Sequence, residues 1–273
     1  MEIQLLEAIT DAARNFQYDY IIIDAIFLSI WILILAIKKK KTPLLAGIVT
    51  GILIYLIDAV FWWNIPAGPN YPSGTFIREY WIGGIQMPHP LGPYFLVKFG
   101  CDFMMTISYA MFAFGWLWIM FENFTREENK EILKKETILF TSLYFGFWMV
   151  TPWISYLLPI NDIMVNTVRH MDTQLIIWIV NVIVGYIILS VIYGSGKFGK
   201  RNIKIILFVF IIGLAQSFFM EFPLFISGIR PTSIIFLIYE IFFLFNQGAP
   251  YLFILYDKIL PLIDGKIRRK DKF

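Results

Sequence analysis

The apolar residues of this 273-residue chain are gathered into seven long blocks, and only 16% of all residues are charged. A block of about 18 apolar residues is long enough, as a helix, to cross about 30 Å of hydrocarbon. Because lipid offers the backbone no hydrogen-bonding partners, such a block must form a helix. The sequence therefore predicts an all-α integral membrane protein, a seven-transmembrane helix bundle in a single domain (1–273), with spans near 20–37, 43–63, 94–121, 137–158, 173–193, 203–226 and 233–256.

Lysine and arginine are divided unequally between the two sides that these spans define. Of the 23 basic residues, 18 lie in the links 38–41, 126–135 and 197–204 and in the tail 257–273, and 5 lie on the other side. Cytoplasmic loops of membrane proteins are enriched in basic residues. We therefore expect a multi-pass protein of the cell membrane, with its N-terminus outside and its basic C-terminal tail in the cytoplasm.

Two segments on the expected outer side differ from plain links. In the segment 1–19, apolar residues recur at helical spacing, which predicts an amphipathic helix on the outer surface or leading into the first span. A simple extension of the first helix is the alternative. The loop 64–93 is rich in proline, glycine and aromatic residues, and a disordered linker would be poorer in aromatics. We expect an ordered loop capping the outer end of the bundle, or else a loop whose aromatics lie in the headgroup belt.

Five of the predicted spans place a polar side chain in the outer third of the membrane: Asp58, Asp102, Asn181, Glu221 and Glu240. Ionisable groups inside a span are costly and usually face the bundle interior or a wet cavity. Asp58 and Glu240 lie deep and have no basic neighbour in the sequence. We predict that these two carboxyl groups form a catalytic acid–base pair, with Asp102 as an orienting group or alternate base.

Other polar, small and aromatic residues recur on the same helix faces, at steps of three, four or seven. The spacing predicts stripes that point inward and together line a pocket opening outward beneath the loop 64–93. The residues predicted to contact a substrate there are Tyr55, Tyr109, Trp178, Asn181, Glu221 and Gln247.

Several residues have simpler interpretations. Lys98 is four residues before Asp102, so it either forms an ion pair with that carboxylate or extends towards the interface. Gly47 and Gly51 have the spacing typical of close helix packing. Asp24 lies near the outer end of its span, where we expect it to be hydrated. For the outer basic residues we expect surface solvation, or contact with an anionic headgroup; these are Arg78, Arg169 and Arg230.

Three functions fit these features. A layer of carboxylates among aromatic residues favours an intramembrane enzyme that carries out acid–base chemistry on a lipid or isoprenoid. The same acids suit a cation- or proton-coupled transporter or channel. The third alternative is a structural or sensory subunit, whose polar stripes only bind helices together.

The expected partners are membrane lipid and a small hydrophobic or cationic ligand. We expect no cofactor and no metal, since two histidines without a nearby cysteine fall short of a structural zinc site. Nucleic-acid binding is not expected either, because attraction to anionic lipid explains the basic tail. The sequence leaves the oligomeric state open.

Overall fold

The structure is a computed structural model that describes residues 11–126, 129–158, 160–170, 172–198, 201–231, 233–244 and 246–262. Seven helices in it are long and apolar enough to cross a membrane. The predicted number of such helices is therefore confirmed. They are α1 (Asp19–Ile37), α2 (Lys41–Asn64), α3 (Gly92–Thr125), α4 (Lys130–Leu157), α5 (Asp172–Gly194), α6 (Ile203–Ile226) and α7 (Ile234–Leu262, with residue 245 outside the described set).

The bounds of α4 and α7 differ most from the predicted spans. Helix α4 begins at Lys130 rather than near residue 137. The side chain of Asn129 accepts a hydrogen bond of 2.9 Å from the backbone N–H of Glu131 and so caps the helix there. The first turns of α4 are polar, so hydropathy alone does not detect them. Helix α7 likewise continues to Leu262, six residues beyond residue 256 where the predicted span ends (262 − 256).

Helix α3 is the central helix of the bundle. The most apolar stretch of α3 is 89% buried, whereas the corresponding stretches of the other six helices are between 17% and 41% buried. Helix α3 packs against α1, α2, α4, α6 and α7. The outer helices expose large apolar side chains such as Leu33, Leu56 and Ile176 on their remaining faces. Such continuous apolar surfaces suit contact with lipid.

The close packing predicted at Gly47 and Gly51 is confirmed. A Cβ atom on Gly47 would lie 2.8 Å from the Cα atom of Met111 in α3. A Cβ atom on Gly51 would lie 3.0 Å from the Cα atom of Ile107. The absence of these side chains lets the backbones of α2 and α3 approach closely.

A four-stranded antiparallel sheet lies at one end of the bundle. Its strands are β1 (Asp11–Gln17), β2 (Arg78–Ile82), β3 (Ile85–Gln86) and β4 (Met164–His170), in the order β1-β4-β2-β3. Strand β1 precedes α1, β2 and β3 lie between α2 and α3, and β4 lies between α4 and α5. We call this end of the bundle the sheet end, and the opposite end, with the lysine-rich links, the basic end.

The helix predicted for the segment 1–19 is wrong where the structure describes it, because Asp11–Gln17 form strand β1. Residues 1–10 lie outside the described residues. The backbone of β1 pairs along its full length with β4, which follows about 150 residues later in the chain. The helical spacing of the apolar residues could not show that this distant partner exists.

Alternation along the strands separates two sets of side chains. On the face towards the helices, Arg14, Phe16, Arg78, Tyr80 and Thr167 are buried or nearly so. On the other face, the imidazole of His170 lies 3.1 Å from the carboxylate of Glu79. The sheet thus directs several basic side chains into the bundle.

Candidate functional site

Asp58 of α2 is bound by two arginines from the sheet. Arg78 of β2 donates a hydrogen bond to its carboxylate, and Nη2 of Arg169 of β4 lies 2.6 Å from each carboxylate oxygen. The sequence shows no basic residue near Asp58, and both partners reach it only through the fold. Burial opposes protonation of Arg78, but Asp58, Tyr80 and Asp102 outweigh it and raise the pKa of this guanidinium.

Asp102 of α3 is bound by a different set of groups. Lys98 donates to one carboxylate oxygen, so the ion pair predicted from their spacing is confirmed. The Tyr80 hydroxyl donates to the other oxygen over 2.8 Å, and Nη2 of Arg78 lies 4.0 Å from it. The ammonium of Lys98 also lies 4.0 Å from the ring centre of Trp63. Arg78 and Tyr80 therefore link Asp102 to Asp58.

Glu221 of α6 and Glu240 of α7 share a second set of arginines. Both glutamates are fully buried. Arg14 of β1 lies 3.1 Å from Glu221, and Arg230 lies 2.9 Å from the same carboxylate. Nε of Arg230 also donates to Glu240 over 2.7 Å. Arg230, between α6 and α7, thus ties the ends of these two helices together.

The two sets of ion pairs form a network with a net positive charge. Its cations are the five groups Arg14, Arg78, Lys98, Arg169 and Arg230, and its anions are the four carboxylates already described, which leaves 5 − 4 = +1 when all are ionised. Burial lowers the pKa of Arg230 to about 9, with Glu221 acting in the opposite direction. The guanidinium therefore stays protonated at neutral pH.

A cavity of about 180 Å³ lies between α2 and α3 at the sheet end. We call it the side cavity. Lys98 and Asp102 supply its charged groups, and its aromatic walls include Tyr55, Trp63 and Phe99. Val60 and Phe95 also line it and are about half exposed at the surface of the bundle, so the cavity opens sideways.

A much smaller cavity of about 20 Å³ lies between the sheet and α3. We call it the arginine cavity. It is lined by Arg14, Arg78, Arg169, Arg230, Thr167 and Met105. Arg78 is close to Asp102, which lines the side cavity, so this arginine lies between the two cavities.

The residues predicted to form one pocket are distributed over several places. Tyr55 and Asp102 line the side cavity. Trp178 lies beneath Arg169, with 5.7 Å between the guanidinium carbon and the ring centre. Asn181 and Gln247 are joined by a hydrogen bond of 2.7 Å between α5 and α7.

Two more predicted residues lie elsewhere in the bundle. The ring of Tyr109 packs 6.0 Å from that of Trp148, measured between ring centres. Glu221 is held by Arg14 and Arg230. The roles assigned to all these residues on a substrate stay predictions.

The predicted catalytic pair, Asp58 and Glu240, also has separate surroundings. Asp58 is bound by Arg78 and Arg169, and Glu240 by Arg230. Neither carboxylate lines the side cavity. Their joint action on a substrate stays a prediction.

Sequence reasoning missed that the outer arginines are buried. The side chains of Arg78 and Arg230 are each only 3% exposed, so the prediction that they are solvated at the surface was wrong for both. Asp24, which we expected to be hydrated, is also buried, at 4% exposure. One signal was present in the chain. The five outer basic residues equal the intramembrane acids in number, and four of them are arginine, which suits buried ion pairs better than lysine does.

Comparison of the chain with family models, with curated proteins and with solved structures gave no match. The seven long apolar helices indicate a multi-pass membrane protein. A more specific function must be argued from the two cavities and the ion-pair network.

Proposed function

We propose that this protein is an intramembrane enzyme that transfers a proton to or from a lipid or isoprenoid held in the side cavity. The observation that carries the proposal is the pairing of a charged dyad, Lys98 and Asp102, with aromatic walls in a cavity whose opening is lined by the exposed apolar side chains of Val60 and Phe95. An apolar substrate can enter such a cavity directly from the bilayer.

The size of the side cavity supports a particular mode of binding. Its volume of about 180 Å³ is below the roughly 300–1,000 Å³ of sites that enclose a whole ligand. The cavity therefore holds one end of the substrate, while the remaining chain stays in the bilayer. Phe95 and Val60, at the opening, contact the chain where it leaves the cavity.

Asp102 is the group that exchanges the proton in this mechanism. Its carboxylate lines the cavity, and Lys98 and Tyr80 hold its two oxygens in place. A positioned carboxyl group can act as a general acid or base. The faces of Tyr55, Trp63 and Phe99 would stabilise positive charge that develops on the substrate.

Asp58 has a positioning role in the same proposal. It binds Arg78, which in turn donates a hydrogen bond to the Tyr80 hydroxyl beside Asp102. Removing the Asp58 charge would release Arg78 towards Asp102. Asp58 thus acts on the reacting carboxyl group through two other side chains.

The proposed orientation puts the sheet end outside the cell. The excess of lysine and arginine in the links at the basic end supports this arrangement. The substrate would then enter the side cavity from the outer leaflet of the cell membrane.

The experiment compares the wild type with two variants that separate binding from chemistry. Protein purified in mild detergent is analysed by mass spectrometry for bound lipids, then incubated with a lipid extract of the host membrane to detect new products. Asp102→Asn should keep the bound lipid and lose its conversion. Ala59→Leu should lose both, because Ala59 lines the side cavity and the larger side chain fills it.

Gly146→Ala is the matched control, since the added methyl group has no atom within 4 Å apart from its chain neighbours and the backbone of its own helix. It should retain binding and conversion. Undiminished conversion by Asp102→Asn would overturn the acid–base role, and undiminished lipid binding by Ala59→Leu would overturn the placement of the substrate.

A structural or sensory subunit is the second candidate function, and one observation favours it. Each carboxylate of the network has a cationic partner, as expected of charged groups whose role is to hold helices and sheet together. Chemical crosslinking in the membrane tests this alternative. One dominant partner protein, with no lipid bound in the side cavity, would support it over the enzyme.

A further inference from the structure

We propose that the arginine cavity binds one small monovalent anion of about the size of chloride. Four arginines line this cavity: Arg14, Arg78, Arg169 and Arg230. Three of them come from three different strands, and the fourth comes from the link between α6 and α7. The site is distinct from the side cavity, so a test of anion binding does not depend on whether the protein is the proposed enzyme.

The charge balance of the network calls for one anion. Among the groups joined by ion pairs, five cations face four carboxylates, in a region where the arginines are mostly excluded from solvent. Asp24, another buried acid of this end, forms no ion pair with these cations among the described residues, so the excess of one positive charge is a property of the ion-paired groups alone. An unbalanced charge is costly to bury. One bound monovalent anion brings the network to neutrality, whereas a water molecule in the same place does not.

The lowered pKa values of two of the arginines agree with an excess of positive charge. Burial lowers the pKa of Arg230, and the neighbouring Arg14 and Arg169 lower it further by repulsion. Burial also lowers the pKa of Arg169, against the opposing effect of Asp58. An anion between these groups would relieve their mutual repulsion.

One of the arginines that line the cavity has an unused hydrogen-bond donor. Nε of Arg169 is buried and has no hydrogen-bond partner among the described residues. Buried donors in folded proteins are nearly always paired. Arg169 already binds Asp58 through Nη2, and Arg169 also lines the arginine cavity. We propose that an anion in this cavity accepts a hydrogen bond from the free Nε.

The size of the cavity selects the anion. A cavity with about 10–15 Å³ of room holds a single water molecule, and this one has about 20 Å³. A halide fits this space, while a phosphate group is several times larger. A lipid headgroup is also excluded, because Arg78 and Arg230 are buried beneath the sheet with side chains only 3% exposed.

Thermal unfolding of the full-length protein in detergent tests the proposal. The protein is dialysed into sodium gluconate and then titrated with chloride or bromide at constant ionic strength. The midpoint temperature should rise with either halide and reach a plateau, because a ligand of the folded state stabilises it. Equal midpoints in gluconate, chloride and bromide would overturn the proposal.

Two variants separate specific binding from a general salt effect. Arg169→Gln removes one cation and the unused donor, so its apparent halide affinity should fall by more than tenfold. Arg126→Gln is the control, since Arg126 lies at the basic end with its side chain 38% exposed, and it should respond like the wild type. An unchanged halide response in Arg169→Gln would contradict the site.

Locating bound bromide in the wild type tests the proposal even if Arg169→Gln does not fold. Crystals of the wild type grown in bromide should show an anomalous scattering peak between the four guanidinium groups. Absence of a peak there, at bromide concentrations that saturate the thermal shift, would also overturn the proposal.

Discussion

The two ends of the bundle differ in how many buried ion pairs hold them together. At the sheet end, buried carboxylates of α2, α3, α6 and α7 are bound by basic groups, mostly arginines from the sheet and its neighbouring link. Towards the basic end, a smaller set of ion pairs joins Lys40 to Glu122 and Glu136, and backbones in close contact and stacked aromatic rings supply further contacts. Gly47 allows α2 to touch Met111, and the rings of Phe124 and Phe208 stack 3.8 Å apart.

This difference shows how one chain can combine rigidity with a polar interior. Apolar packing holds helices together in lipid without any polar group. The ion-pair network adds charged groups in the region where we propose the substrate and the anion to bind. Four predictions test the contrast, from the largest expected effect to the smallest.

Removing a buried carboxylate at the sheet end should have the largest effect. Glu221→Gln removes the fully buried negative charge with which both Arg14 and Arg230 pair. The loss of one partner of a buried ion pair typically costs about 3–5 kcal/mol. The free energy of unfolding in detergent, measured by denaturant titration, should fall by an amount in this range.

The control for Glu221→Gln is an ion pair at the basic end. Lys258 pairs with Asp257 over 3.0 Å, and its side chain is 39% exposed. Exposed pairs contribute about 0–1 kcal/mol, so Lys258→Gln should change stability little. If both variants lost the same free energy, the contrast between the two ends would fail.

Gly47→Ala should have the next largest effect, through packing rather than charge. The new Cβ atom would lie 2.8 Å from the Cα atom of Met111, and backbone atoms cannot move aside as a flexible side chain can. Overpacking of this kind costs roughly 1–3 kcal/mol. Thermal unfolding should show the loss. Gly146→Ala should be neutral or slightly stabilising, because its methyl group would have no atom within 4 Å apart from its chain neighbours and the backbone of its own helix.

Arg78→Lys should show that the network needs the forked shape of arginine. The guanidinium of Arg78 donates one hydrogen bond to the Asp58 carboxylate and another to the Tyr80 hydroxyl. The ammonium of lysine keeps the charge but cannot reproduce both bonds in this geometry. We expect a loss of roughly 1–2 kcal/mol in the free energy of unfolding. A variant as stable as the wild type would show that charge alone is sufficient.

The smallest effect concerns pH and the link that precedes α3. His89 lies between Trp63 and Phe76, with ring centres 3.9 Å and 3.8 Å away, and burial lowers its pKa. The unfolded chain takes up the proton near pH 6.5, and the folded protein does so only at lower pH. Stability should therefore decrease as the pH falls through 6.5.

The comparison of wild type with His89→Phe isolates this contribution. The melting temperatures of both proteins are measured between pH 5 and pH 8. The decrease at acid pH should be smaller in the variant, which has no proton to gain at this position. Parallel curves for the two proteins would show that His89 does not contribute.

Some features of the structure were predictable because they depend on neighbours in the chain. Helix α6 begins at Ile203 and ends at Ile226, as its apolar block predicts. Lys98 and Asp102 are one helical turn apart, so their ion pair follows from local geometry. Strand β1 and the arginines around Asp58 were not predictable in this way. Their partners are distant in the sequence, and no local pattern identifies them.

The sequence by itself determined that the chain has seven apolar helices and which helices carry carboxylates. These properties follow from local hydropathy, because the bilayer admits only segments that satisfy their own hydrogen bonds. Apart from the local pair Lys98–Asp102, only the tertiary structure decided which cation binds each carboxylate. The strands pair across long separations, as Arg78 and Arg169 do in neighbouring strands, and so bring both guanidinium groups to Asp58. The sequence shows which residues are charged. Which opposite charge neutralises each of them depends on distances that exist only in the folded protein.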